Sequence, residues 1–119
     1  MIGRVEKTVL DCPDPRALAA FYAGLLGFQV NEDDGDWVVI GRDAGWRELA
    51  FQRAEPYVPP EWPDPHRPQQ LHLDIRVDDV EAAERAVLAA GGRRLPNEHE
   101  SGFRVFADPA GHPFCLVHG

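Results

Sequence analysis

The stretch Asp14-Pro15-Arg16-Ala17-Leu18-Ala19-Ala20-Phe21-Tyr22-Ala23-Gly24-Leu25-Leu26-Gly27 opens on a helix start and closes on a helix stop. Asp14 is an N-cap residue type, and Pro15 suits the first helical position, where a missing N–H costs nothing. Leu18, Phe21, Tyr22 and Leu25 recur at i, i+3, i+4 and i+7, so one face is apolar. Gly27 fits the left-handed residue that ends a helix. Before the helix, Val5 to Leu10 is apolar and β-branched and predicts a strand. After it come Phe28–Val30, a polar turn Asn31–Asp36, Trp37–Ile40, a turn Gly41–Gly45, and Arg47–Gln52. The order is β-α-β-β-β.

The second half reads the same way. Leu71, Leu73, Ile75 and Val77 alternate with His72, Asp74 and Arg76, which predicts a half-buried strand. Asp78-Asp79 caps a helix carrying Val80, Ala83 and Val87 that stops at Gly91-Gly92. Arg93–Leu95, a polar turn Pro96–Gly102, Phe103–Ala107, a turn Asp108–Gly111 and Pro113–Val117 follow. Leu10 answers Leu73, Asp14 answers Asp79 and Gly27 answers Gly91, at offsets of 63, 65 and 64 residues. Such a repeat indicates an internal duplication. The predicted fold is α+β, one domain over residues 1–119 built from module one (1–54), a connector (55–69) and module two (70–119). Six of the eleven prolines lie between Glu55 and Pro68. They exclude a helix or central strand there and predict a stiff extended connector.

Composition narrows the function. With 44% hydrophobic and 27% charged residues, the chain has the balance of a soluble globular protein. A net charge of −8 argues against nucleic acid or an anionic membrane surface as partner, since both need a basic patch. No apolar run reaches the length of a membrane span, and Met1 to Asp11 lacks the apolar core of a signal peptide, so the expected location is the cytoplasm. Two cysteines, Cys12 and Cys115, are too few for a disulfide scaffold. There is no Gly-rich phosphate loop, serine-nucleophile motif or Cys-x-x-Cys pair.

The paired modules, the helix-one stretch through Leu26-Gly27-Phe28, the segment His72-Leu73-Asp74-Ile75-Arg76-Val77-Asp78-Asp79-Val80 and the ending Ala107-Asp108-Pro109-Ala110-Gly111-His112-Pro113-Phe114-Cys115-Leu116-Val117 resemble the vicinal oxygen chelate superfamily. That group includes glyoxalase I, extradiol dioxygenases, and fosfomycin- and bleomycin-resistance proteins; the chain is most similar to its glyoxalase-like branch. The resemblance implies curved sheets around a pocket, with metal ligands on the first, fourth, fifth and eighth strands. Carried over by position, these are Lys7, Glu48, His72 and Cys115. Glu48 and His72 are ligand types, a protonated Lys7 is not, and Cys115 stands where the family has a carboxylate. A Lys7–Glu48 ion pair in the vacated metal place is one expectation.

Cys115 lies in an apolar strand and is expected to be an inert thiol unless Lys7 or His72 activates it. Trp62, in the connector, has little evident core of its own and is expected over a pocket mouth or a partner subunit; Trp37 and Trp46 fall in the region of the third-to-fourth-strand hairpin. The leading expectation is a metal-free protein, without cofactor, that binds an aromatic or cationic small molecule. The contributing residues are Lys7, Trp37, Glu48, Trp62, His72, Asp74 and Cys115, with Trp46 beside them. The alternatives are a metal-dependent glyoxalase-type lyase or isomerase, or a dioxygenase, using Glu48 and His72, and a cofactor-free enzyme with His72 as general base. A homodimer is expected, with the connector at or near its interface.

Overall fold

The computed structural model describes residues 1–97 and 101–119. Residues 98–100, inside the polar turn predicted over 96–102, lie outside the described residues. The chain forms two compact units, Met1–Tyr57 and Val58–Gly119.

The first unit holds β1 (Thr8–Cys12), α1 (Pro15–Leu26), β2 (Gln29–Asp33), β3 (Trp37–Asp43) and β4 (Trp46–Arg53). Its sheet runs β1-β4-β3-β2, with β1 parallel to β4 and the other neighbours antiparallel. α1 starts as the sequence predicts: the Asp14 side chain accepts the Ala17 N–H, Pro15 opens the helix, and Gly27 closes it at φ 70°. The buried stripe Leu18, Ala19, Phe21 and Tyr22 packs onto the sheet, where Tyr22 stacks on Phe51 at 5.8 Å.

The second unit repeats the plan with β5 (Leu73–Arg76), α2 (Val80–Ala89), β6 (Arg93–Arg94), β7 (Phe103–Ala107) and β8 (Pro113–Val117). Its sheet runs β5-β8-β7-β6, with β5 parallel to β8. The duplication extends into the register. Leu10 lies opposite Phe51 in the first sheet, and Leu73 lies opposite Phe114 in the second. Phe114 stacks on Phe106 of β7 at 5.8 Å, whereas its counterpart Phe51 stacks on Tyr22 of the helix. The predicted α+β architecture of two β-α-β-β-β modules is therefore observed.

Strand limits differ from the sequence expectation for identifiable reasons. β1 begins at Thr8 rather than Val5, because Thr8 is the first residue with a partner on β4; Val5 is exposed. β5 begins at Leu73 rather than Leu71, because its partner β8 starts at Pro113, which has no N–H for the ladder. β2 runs on to Asp33 through residues read as a turn. It is an edge strand, and ion pairs satisfy its acids: Glu32 with Arg47 at 2.7 Å and Asp33 with Arg16 at 2.9 Å. β3 continues through Gly41 to Asp43 across register shifts, leaving Ala44-Gly45 as the turn. A Cβ on Gly41 would stand 1.7 Å from the Trp46 carbonyl oxygen. Gly41→Ala should therefore open this hairpin and cost about 1–3 kcal/mol in a urea titration, as overpacking does; an unchanged midpoint would contradict the close approach.

The proline-rich segment is not an extended connector. Its prolines do keep it out of helix and strand, but it folds back on itself. The Glu61 N–H donates to the Arg67 carbonyl at 2.8 Å, the Asp64 N–H donates to the Glu61 carbonyl at 2.7 Å, and Arg67 pairs with Glu61 at 2.9 Å. No described helix is long and apolar enough to cross a membrane.

Candidate functional site

Each sheet carries the helix of its own unit. In β5 the pleat sends Asp74 and Arg76 away from the half-buried Leu73 and Ile75. Parallel pairing sets Asp74 opposite Cys115, and Cys115 in turn lies opposite Val105 of β7. One row across the sheet thus runs from an exposed carboxylate to a buried thiol and an apolar core. His72, just ahead of β5, reaches back so that its Nε2 lies 3.2 Å from an Asp74 carboxylate oxygen. The donor atoms of His72, Asp74 and Cys115 all lie within 4.8 Å of one another.

Burial pushes the Cys115 thiol up to about 11, reinforced by the charge of Asp74 and a hydrogen bond to its carboxylate. Cys115 is therefore a protonated donor at neutral pH, and Asp74 receives both the thiol and, when it is protonated at Nε2, the imidazole. The inert thiol expected from the sequence fits this setting. At pH 8 only about 0.1% of such a thiol ionises, so native Cys115 should react with iodoacetamide on the order of 100-fold slower than a free cysteine. Peptide mapping after native and unfolded labelling checks this; comparable labelling in both states would contradict it.

Trp62 does not lack a core. It packs against the buried cluster formed by Leu95, Val105, Ala107 and Cys115, and its Nε1 donates to the Pro96 carbonyl at 2.9 Å. The expectation that it has little core of its own is thus corrected: it joins the edge of this cluster. The folded-back loop brings it there, which a count of prolines could not reveal.

In the first unit the expected Lys7–Glu48 pair does not form. Lys7 pairs with its neighbour Glu6 at 3.1 Å. Glu48 is taken by Arg42, whose Nε donates at 3.0 Å and whose Nη2 reaches the other carboxylate oxygen. That guanidinium holds the Glu48 carboxyl below its ordinary range. Arg42 also lies 4.2 Å over the exposed Trp46, a cation occupying a ring face that would otherwise be open to a ligand. Sequence reasoning missed Arg42; the antiparallel hairpin that brings it beside Glu48 was the available signal. Trp37 does line a cleft of about 330 Å³, with Asp34, Asp36, Gln52, Arg53 and Glu55. Arg53 is paired to Asp36 at 2.6 Å.

A sequence profile for the glyoxalase-like domain matches residues 7–117. The chain belongs to the glyoxalase-like domain family. No curated protein matches it. Among solved structures, this glyoxalase-like chain is similar to a glyoxalase/bleomycin resistance protein/dioxygenase family enzyme from Burkholderia phytofirmans. That match has 18% identity and a TM-score of 0.73, covering 98% of each chain. It is also similar to the genomically encoded fosfomycin resistance protein of Listeria monocytogenes, at 16% identity and a TM-score of 0.72, covering 100% of this chain and 95% of that one. A bleomycin-binding protein from Streptomyces verticillus, complexed with copper(II)-bleomycin, matches at 24% identity and a TM-score of 0.57, covering 100% and 99%. These likenesses establish the fold. The superfamily resemblance read from the sequence is correct.

The metal that the superfamily implies does not fit the four carried-over positions of this glyoxalase-like domain. Lys7 offers an ammonium engaged with Glu6, and both Glu48 oxygens are engaged by Arg42. Only His72 and Cys115 remain as donors, fewer than the three protein ligands a catalytic zinc takes.

Proposed function

We propose that this glyoxalase-like domain binds a flat aromatic cation, and that binding needs neither metal nor cofactor. The observation that carries the reading is the setting of Cys115: it belongs to a buried cluster against which Trp62 packs, and the exposed Asp74 carboxylate, 3.2 Å from His72, lies close to its thiol. An aromatic wall beside a carboxylate offers stacking and charge to the same ligand. In the first module, support comes from Trp37 in its acid-lined cleft. The alternative of a metal-dependent lyase, isomerase or dioxygenase through Glu48 and His72 loses support, since Arg42 occupies Glu48.

The reading includes a cytoplasmic homodimer. The strands β2 and β6 end their sheets, and Val30 on β2 is exposed. Light scattering at micromolar concentration should give twice the chain mass; a monomer mass would remove this part of the reading.

The test is tryptophan quenching by a panel of aromatic cations in the presence of a chelator. Quenching should persist with chelator and weaken as salt shortens the Debye length from about 30 Å at 0.01 M to about 8 Å at 0.15 M. Quenching that appears only after a divalent metal is added would overturn the metal-free reading.

A further inference from the structure

We propose that α2 is an electrostatic lid on the second sheet: Glu81 and Glu84 latch it down through ion pairs, and acid releases it while α1 stays packed. The inference goes beyond the ligand reading and shares no residue with it.

The two helices answer each other in the duplication, yet they are held differently. α1 buries Pro15, Leu18, Ala19, Phe21 and Tyr22, whereas among the described residues of α2 only Val87 is buried. Leu88 faces solvent. A helix of ten residues is marginal by itself and depends on what its inner face packs against. α2 has little apolar volume to offer there.

Ion pairs supply the rest. Glu81 and Glu84 stand three residues apart, so they share one side of α2. Arg104 on β7 donates to Glu81 at 2.7 Å and reaches Glu84 at 3.4 Å. Arg94 on β6 pairs with Glu84 at 2.7 Å and lies over the Phe106 ring at 5.5 Å. Two strands thus grip one helix face. The Arg104 and Glu84 side chains are only 17% and 24% exposed, so solvent screens them less than an open surface pair. Arg104 and Phe106 share a face of β7, so release of α2 bares the ring of Phe106, which is fully buried when the lid is down.

The charges on the described elements around Glu81 and Glu84 are Arg104 on β7, Arg93 and Arg94 on β6, and Asp79 and Arg85 on the helix and its cap; β8 adds Cys115, which is protonated. The hydrogen bond from Arg104, then its charge, holds the Glu81 carboxyl below its ordinary range. A lowered carboxyl stabilises the latched state in full above the ordinary carboxylate range, and that stability is lost as pH falls through it and below. Protonation then leaves a largely enclosed Arg104 guanidinium facing a neutral helix, and lifting the helix restores its hydration.

The experiment is amide hydrogen exchange of the full chain, read by NMR at pH 7 and pH 4 and corrected for intrinsic exchange rates. At pH 4 the protection of α2 amides should fall on the order of 10-fold more than that of α1 amides. At pH 7, Arg104→Met keeps an apolar stem and removes the charge; it should lower α2 protection on the order of 10-fold and leave α1 unchanged. Glu81→Gln carries the test if Arg104→Met does not fold, because Glu81 is 65% exposed. It should lower α2 protection about 3-fold and flatten its pH dependence. Equal loss of protection in both helices at pH 4, or unchanged α2 protection in the variant that folds, would overturn the latch. Neither readout involves an aromatic cation, so failure of the quenching test leaves this result untouched.

Discussion

Phe51→Ala is expected to cost about 3–5 kcal/mol, the ordinary range for emptying a buried phenylalanine site. Phe51 is fully buried, stacked on Tyr22, and flanked in register by Leu10 on β1 and Val38 on β3. It joins the helix to both strands that flank β4, so no single element can relax to fill the cavity. Domains of this size hold only about 5–15 kcal/mol in total. The melting temperature should therefore fall by on the order of 10–20 °C. Calorimetry checks this, and a loss below about 1 kcal/mol would mean that the Tyr22–Phe51 stack does not hold α1 to its sheet.

Asp74→Asn is expected to weaken binding of an aromatic cation by about 10- to 100-fold, the worth of a hydrogen bond to a charged group. Asp74 is exposed, so the melting temperature should hardly move. The same change removes the carboxylate charge that raises the Cys115 thiol and leaves a neutral amide oxygen as its only acceptor on this side chain. Burial remains. The thiol should then titrate below about 11 but above an ordinary cysteine. Ultraviolet thiolate titration of wild type and variant reads this directly; an unmoved thiol would separate Cys115 from Asp74.

The fold was legible because its signals are local. Asp14-Pro15 and Gly27 mark a helix by backbone chemistry alone, and Asp79 repeats the cap in the second module. The polar β2 was misread because Asn31 to Asp33 look like a turn until Arg47 and Arg16, distant in sequence, pair with Glu32 and Asp33. The candidate site was legible residue by residue but not as a group. His72, Asp74 and Cys115 each stood out. Their convergence depends on the parallel register of β5 and β8, which no local pattern encodes. Glu48 and Trp62 show the same limit: Arg42 and the folded proline-rich loop decide what they do.

The most direct measurement is an amide-resolved NMR titration of the chelator-treated protein with an aromatic cation. Saturable shifts at His72, Asp74 and Cys115, with the Trp62 indole moving in step and the midpoint raised about 10- to 100-fold in Asp74→Asn, are the predicted result. Saturable binding that leaves these four residues unmoved, or that requires added metal, would contradict the account.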